Sequence, residues 1–191
     1  VSVIAAETPP LVDAARHQDT VMLQQLLNRG SDPDSRQADG ATALHWAVYH
    51  ENVDAVASLI EADADVNAVN RLGASPLYLA AKNGNANLIE LLLEADANPN
   101  IAMPMGETPI MTAARSGTAQ GVQLLVEAGA DVNVAEQSRE QTALMWATAQ
   151  GHVEVARLLV NAGADLEARS KLRSRLMYAD RSNGGAFDQG I

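Results

Sequence analysis

Apolar residues along this chain come in short blocks at three- and four-residue steps, each followed by a polar, turn-forming stretch. Val53, Val56, Leu59 and Ile60 form one block, and Leu88, Ile89, Leu92 and Leu93 form another. That spacing gathers each block on one face of an α-helix. A shorter apolar set, Leu44, Ala47 and Val48, precedes the first block and predicts a second helix beside it. Thr or Ser stands where such a helix starts, and Pro76 and Pro109 occupy its first position, where a missing N–H costs nothing. Gly84, Gly117 and Gly151 mark the break between the two helices. Gly30, Gly129 and Gly163 fall where the second helix ends in a left-handed residue. Asp63 and Asp96 replace that glycine twice, at modest local cost. The pattern predicts helix pairs.

The pairs repeat. Thr42-Ala43-Leu44-His45-Trp46-Ala47 recurs from Ser75, Thr108 and Thr142, at spacings of 33, 33 and 34 residues. Weaker copies start at Pro9 and Ser174. A second marker, Gly129-Ala130-Asp131-Val132-Asn133, keeps the same period in variants at 30–34, 63–67, 96–100 and 163–167. A fixed period in this range signals a stack of identical supersecondary units.

These markers resemble the ankyrin repeat family, bacterial members included, over nearly the whole chain. Asp39-Gly40-Ala41-Thr42-Ala43-Leu44-His45 is the closest local copy of the family's motif. The resemblance implies an all-α solenoid of about five helix-pair repeats plus a partial sixth, with hairpin-like fingers projecting between neighbours. The intervals are 9–41, 42–74, 75–107, 108–141 and 142–173, after a leader at 1–8 and before a partial sixth repeat with an irregular tail at 174–191. Only His45 keeps the family's histidine; Tyr78, Met111 and Met145 replace it, so the usual Thr–His bonding is expected to be lost there. The finger at Ala135–Gln141 is one residue longer and lacks the glycine found at Gly40, Gly73 and Gly106, so its tip is expected to be irregular.

Composition narrows the chemistry. The 191 residues contain no cysteine, which excludes disulfides, thiolate metal sites and a cysteine nucleophile. A net charge of −11 argues against a nucleic-acid binder, for which phosphate attraction dominates affinity. No apolar run approaches the roughly 18 to 20 residues of a membrane span. His17, His45, His50 and His152 lie in different repeats, and no phosphate loop or hydrolase motif is present. Asp32 with Asp34, and Asp63 with Asp65, belong to the repeated turn rather than to a catalytic dyad. A calcium loop from Asp32 fails because Gln37 takes the place of its glycine. Neither catalysis, a metal nor a cofactor is expected.

The surface carries more. Trp46, Tyr49 and His50 share the side of their helix opposite Leu44, by their three- and four-residue spacing. In an ankyrin-like stack that side lines the concave groove. One groove position reads Arg16, Tyr49, Lys82, Arg115, Ala149 and Arg181, and the fingers add Arg36, Arg71 and Arg139. The second helices carry acids instead, among them Asp54, Glu61, Glu90, Glu94, Glu127 and Glu154. Two readings stand: a basic groove serving a partner, or arginines paired locally with Asp13, Asp39, Glu51, Glu107 and Glu140. Trp46 and Trp146 either anchor a partner or fill gaps between first helices.

The expected function is therefore a non-catalytic scaffold that binds a protein or peptide, with an acidic segment, in its groove and fingers. The alternative is an accessory subunit docked permanently on a larger assembly. Leu176, Met177 and Tyr178 predict an apolar C-terminal edge for assembly, as though the natural protein continues. The apolar start, Val1 to Ala6, leans slightly towards export or the periplasm over the cytoplasm.

Overall fold

A computed structural model describes residues 8–171. Residues 1–7 of the leader and 172–191, with Arg181 and the apolar edge, lie outside them. Ten helices follow one another: α1 (Pro10–Arg16), α2 (Thr20–Asn28), α3 (Ala43–Tyr49), α4 (Val53–Glu61), α5 (Pro76–Asn83), α6 (Ala86–Glu94), α7 (Pro109–Ser116), α8 (Ala119–Glu127), α9 (Ala143–Gln150) and α10 (Val153–Asn161). One pair falls in each of the five intervals. No strand occurs among the described residues.

The odd helices pack on one another in order and the even helices form a second layer beneath them. Each unit touches only its neighbours, as a quasi-one-dimensional stack requires. Leu44, Leu77, Ile110, Met111 and Ala147 supply the odd layer, and Leu23, Val56, Leu59, Leu88, Leu92, Leu125 and Leu159 the even one, all essentially inaccessible. Alanines at 43, 80, 113, 114 and 143 let the backbones approach closely. Val53, grouped with the apolar block by its spacing, is instead 42% exposed, because it opens α4 on the outer turn.

The local geometry follows the residues that specify it. Ser75 and Thr142 accept bonds from the backbone N–H of Tyr78 and Met145, so capping survives without the histidine. Thr108 does not cap in this way, and its hydroxyl is buried without a hydrogen-bond partner among the described residues. Asp63 and Asp96 adopt φ of 60° and 64°, beside 80°, 83° and 88° at Gly30, Gly129 and Gly163.

The acidic turns form a ladder. Asn67 Oδ1 accepts from the N–H of Asn98 at 2.7 Å and its Nδ2 donates to the Asp96 carbonyl at 3.2 Å. Asn100 and Asn133 repeat both bonds one unit further on. Asp34, at the first such position, accepts from Asp65 N–H at 2.8 Å but has no amide with which to donate. These carboxylates are structural. Asp34→Asn supplies the missing donor towards the Asp63 carbonyl and removes a charge from an acidic turn. It should stabilise the fold by about 0.5–1.5 kcal/mol in urea unfolding; a destabilised variant would contradict the ladder.

Fingers also join through the backbone. Arg71 N–H donates to the Asp39 carbonyl at 2.8 Å, Gln137 to Met105 at 2.8 Å, and Lys171 to Arg139 at 2.7 Å. Between the second and third fingers the equivalent donor is Pro104, which has no N–H. Pro104 packs instead against Gly73, where an added Cβ would lie 2.6 Å from the Pro104 Cδ. The packing of α4 on α6 is also sparser than that of the other neighbouring even helices. The joint between the second and third units is the thinnest in the stack.

Candidate functional site

The aromatic side chains predicted for one face of α3 do meet. The Trp46 and Tyr49 rings stand edge to face with centroids 5.7 Å apart, and the His50 ring stacks on Trp46 at 5.9 Å. Tyr49 is 57% exposed, whereas Trp46 and His50 are half-buried. Both of the latter have structural work. Trp46 Nε1 donates to Gln37 Oε1 at 3.2 Å, which ties helix to finger. His50 Nε2 lies 3.0 Å from the Arg16 carbonyl of the preceding unit. Asn83 and Ser116, at the same position in later units, reach back to Val48 and Ala81 carbonyls in the same way. The periodic position explains His50 as a bond between units.

The basic line is uneven. Arg16 Nη2 bonds Asp13 Oδ1 at 2.6 Å. Arg115 lies 3.4 Å from Glu107 Oε1 and places its guanidinium 4.8 Å from the Trp146 ring centroid, a cation–π distance. Lys82 is exposed and has no carboxylate within ion-pair range among the described residues. On the fingers, Arg36 Nη1 donates to the Val69 carbonyl at 3.0 Å, while Arg71 and Arg139 are exposed. Local pairing thus accounts for Arg16 and Arg115, but Asp39 and Glu51 serve other groups: Asp39 accepts from Gln37 and Ala41, and Glu51 from Asn85. The acids of the even helices, Asp54, Glu61, Glu90, Glu94, Glu127 and Glu154, are all exposed.

The fourth finger, expected to be irregular, is instead built around a buried carboxylate. Glu136 is 4% exposed and accepts from the backbone N–H of Ser138, Arg139 and Gln141 and from the Ser138 hydroxyl. Burial alone would raise its pKa, but these bonds to the charged form hold the carboxyl below the usual range. Glu140 takes the left-handed place of the missing glycine, with φ of 56°, and its carboxylate pairs with Lys171 at 2.7 Å. The extra residue is accommodated by a specific turn.

Tyr78 and Glu107, 29 residues apart, were not expected to meet. The Tyr78 hydroxyl donates to Glu107 Oε1 at 3.0 Å, and burial, then the adjacent carboxylate, push the phenol up to about 12. Glu107 thereby links Tyr78, Arg115 and, through Arg115, Trp146. The sequence signal was the period itself, since a residue on a first helix meets the one 29 positions on, just before the next first helix, as His45 meets Ala74.

Among the described residues, no group of three or more His, Asp or Glu is placed to hold a metal ion, and no helix is long and apolar enough to cross a membrane. No curated protein matches the chain. The sequence profile of the family described as ankyrin repeats, in three copies, matches residues 11–103 and 97–170. Repeats of this kind are generally protein–protein interaction modules and are typically non-catalytic. With stacked helix pairs, joined fingers and a profile match spanning most of its length, the chain belongs to the ankyrin repeat family.

Proposed function

We propose that the protein is a binding scaffold that holds a partner protein or peptide against the first helices and the fingers. The observation that carries this reading is Tyr49, a large aromatic side chain left 57% exposed on a rigid helix and braced by the Trp46 and His50 rings. Tyrosine, tryptophan and arginine are the residues that dominate binding energy at interfaces. Lys82, one unit along, adds an exposed positive charge to a face otherwise set against an acidic back. Opposite potential there favours an acidic partner segment, chiefly by speeding encounter.

Capture of partners by the full chain, followed by mass spectrometry, supplies the ligand for the test. Tyr49→Ala should weaken binding about tenfold through faster dissociation. Lys82→Glu should slow association and flatten its salt dependence. Reversal of Glu90 and Glu94 to Lys on the back should leave binding nearly intact. Loss of the partner by the back variant alone would overturn the assignment of the face.

A second reading, an accessory subunit docked permanently through the fingers, is favoured by the exposed apolar tips. Leu72 is 72% and Met105 54% exposed. A salt-resistant complex of fixed stoichiometry that dissolves on Leu72→Ser with Met105→Ser, but not on Tyr49→Ala, would select it.

A further inference from the structure

A cleft of about 390 Å³ opens where the third and fourth fingers meet α7 and α9, lined chiefly by Met105, Glu107, Arg115, Glu136, Arg139 and Trp146. Its formal charges cancel, but its hydrogen-bonding groups do not. Glu136 is already saturated by its own finger, with backbone donors at 2.6, 2.9 and 3.3 Å. Glu107 accepts from Tyr78 and lies beside Arg115. Glu136 is thus fully engaged, whereas Glu107 is engaged through Oε1 alone.

The donors are in surplus. The Arg139 guanidinium is exposed, with no carboxylate within ion-pair range among the described residues. Arg115 spends one nitrogen on Glu107 and one face on Trp146, which leaves its other N–H groups. Trp46 gives its indole N–H to Gln37, but the corresponding finger residue near Trp146 is Glu136, whose oxygens are turned into the turn. Trp146 Nε1–H consequently has no acceptor among the described residues. Two guanidinium groups and an indole N–H line the cleft, against one open carboxylate oxygen on Glu107 and the Gln141 amide, and paired guanidinium donors suit an anion of planar fork geometry.

We propose that this cleft receives the side-chain carboxylate of a glutamate or aspartate in a partner's segment. Arg139 and the free edge of Arg115 donate to the carboxylate and Trp146 Nε1–H to one of its oxygens, while the aliphatic stem lies along Met105. Stacking on Trp146 holds Arg115 in place before the ligand arrives, so less side-chain freedom is lost on binding. The chain's net charge of −11 acts mostly from beyond the screening length of about 8 to 10 Å, whereas these donors act at contact. Glu107 is the opposing element, a like charge at the wall of the cleft. The proposal rests on the scaffold reading above and locates one specific contact within it.

The test is titration of the full chain, labelled for the indole N–H resonances, with acetyl-Gly-Glu-Gly-amide and its Gln counterpart. Trp46→Phe assigns the two indoles. The Glu peptide should shift the Trp146 indole saturably and leave Trp46 in place, with the Gln peptide at least about tenfold weaker. Arg139→Gln should weaken the Glu peptide about tenfold, and Glu107→Gln, which keeps an acceptor for Tyr78 while removing the like charge, should tighten it. The unmoved Trp46 signal confirms in each variant that the stack is intact. Equal response to both peptides, no shift at Trp146, or no effect of Arg139→Gln overturns the proposal. These outcomes are independent of partner capture: a partner still lost on Tyr49→Ala would keep the scaffold reading while the carboxylate site fell.

Discussion

Leu92→Ala is expected to lower stability by about 2–5 kcal/mol, one of the two largest effects anticipated for a single substitution in this chain. Leu92 is wholly buried on α6, the second helix of the middle unit, against α5 and α8. Its removal takes transfer energy and leaves a cavity that short, alanine-lined helices collapse into only partly. For a chain of this size the loss corresponds to a fall in Tm of roughly 4–20 °C. Among the described residues, this unit also bridges the first two units to the last two. Because about three or more stacked units are needed to hold a core, Trp46 on α3 and Trp146 on α9 should report one shared transition at a lower temperature. Glu90→Ala, exposed on the same helix, should stay within about 0.5 kcal/mol of the parent. A loss below about 1 kcal/mol for Leu92→Ala, or two separate tryptophan transitions, would contradict a single stack centred on α6.

The parts of this architecture legible in the sequence are those written in local chemistry. Pro76 and Pro109 open α5 and α7, and Gly84 and Gly117 close them with φ of 73° and 81°. Leu88, Ile89 and Leu92 face inward as their spacing requires. What escaped the sequence depends on contacts between units. Pro104 is an unremarkable loop residue until the fingers align and it takes the place that an N–H donor fills at the other joints. Glu136 reads as one more surface acid; it becomes a buried anchor only because three backbone N–H groups converge on it. The same limit applies to the binding face. Charge segregation was visible, since second helices carry acids and first helices and fingers carry bases. Whether each base is free was not, because Arg16 and Arg115 find acids on their own side while Lys82 does not. A stripe of like charges along a repeat thus overstates the field it presents, because pairing offsets some of its members and leaves others, such as Lys82, exposed.

His45→Ala should cost about 2–4 kcal/mol, because this one side chain ties the start of α3 to the loop that leads into α5. It is 2% exposed. Its Nδ1 accepts from the Thr42 N–H at 3.2 Å and lies 2.9 Å from the Thr42 hydroxyl, while Nε2 lies 3.0 Å from the Ala74 carbonyl. Acceptance at Nδ1 and donation at Nε2 assign the neutral tautomer with its proton on Nε2. Burial is the main cause that lowers its pKa; Arg36 acts in the same direction, and the Ala74 carbonyl, Asp39 and Asp65 act against it. The folded value therefore lies below the unfolded 6.5, and the unfolded chain binds the proton more readily. Stability from this group is complete above that unfolded value and drains away as the pH falls below it towards the folded one. His45→Met, the residue the chain itself uses at Met111 and Met145, should keep the volume but lose the bonds. It should cost about 1–2 kcal/mol at pH 8 and show a shallower loss of stability between pH 6.5 and 5 than the parent. Urea unfolding across that range decides it: parallel slopes for parent and His45→Met would show that another group carries the pH dependence, and an unchanged midpoint at pH 8 would show that the bond from His45 to Ala74 contributes nothing.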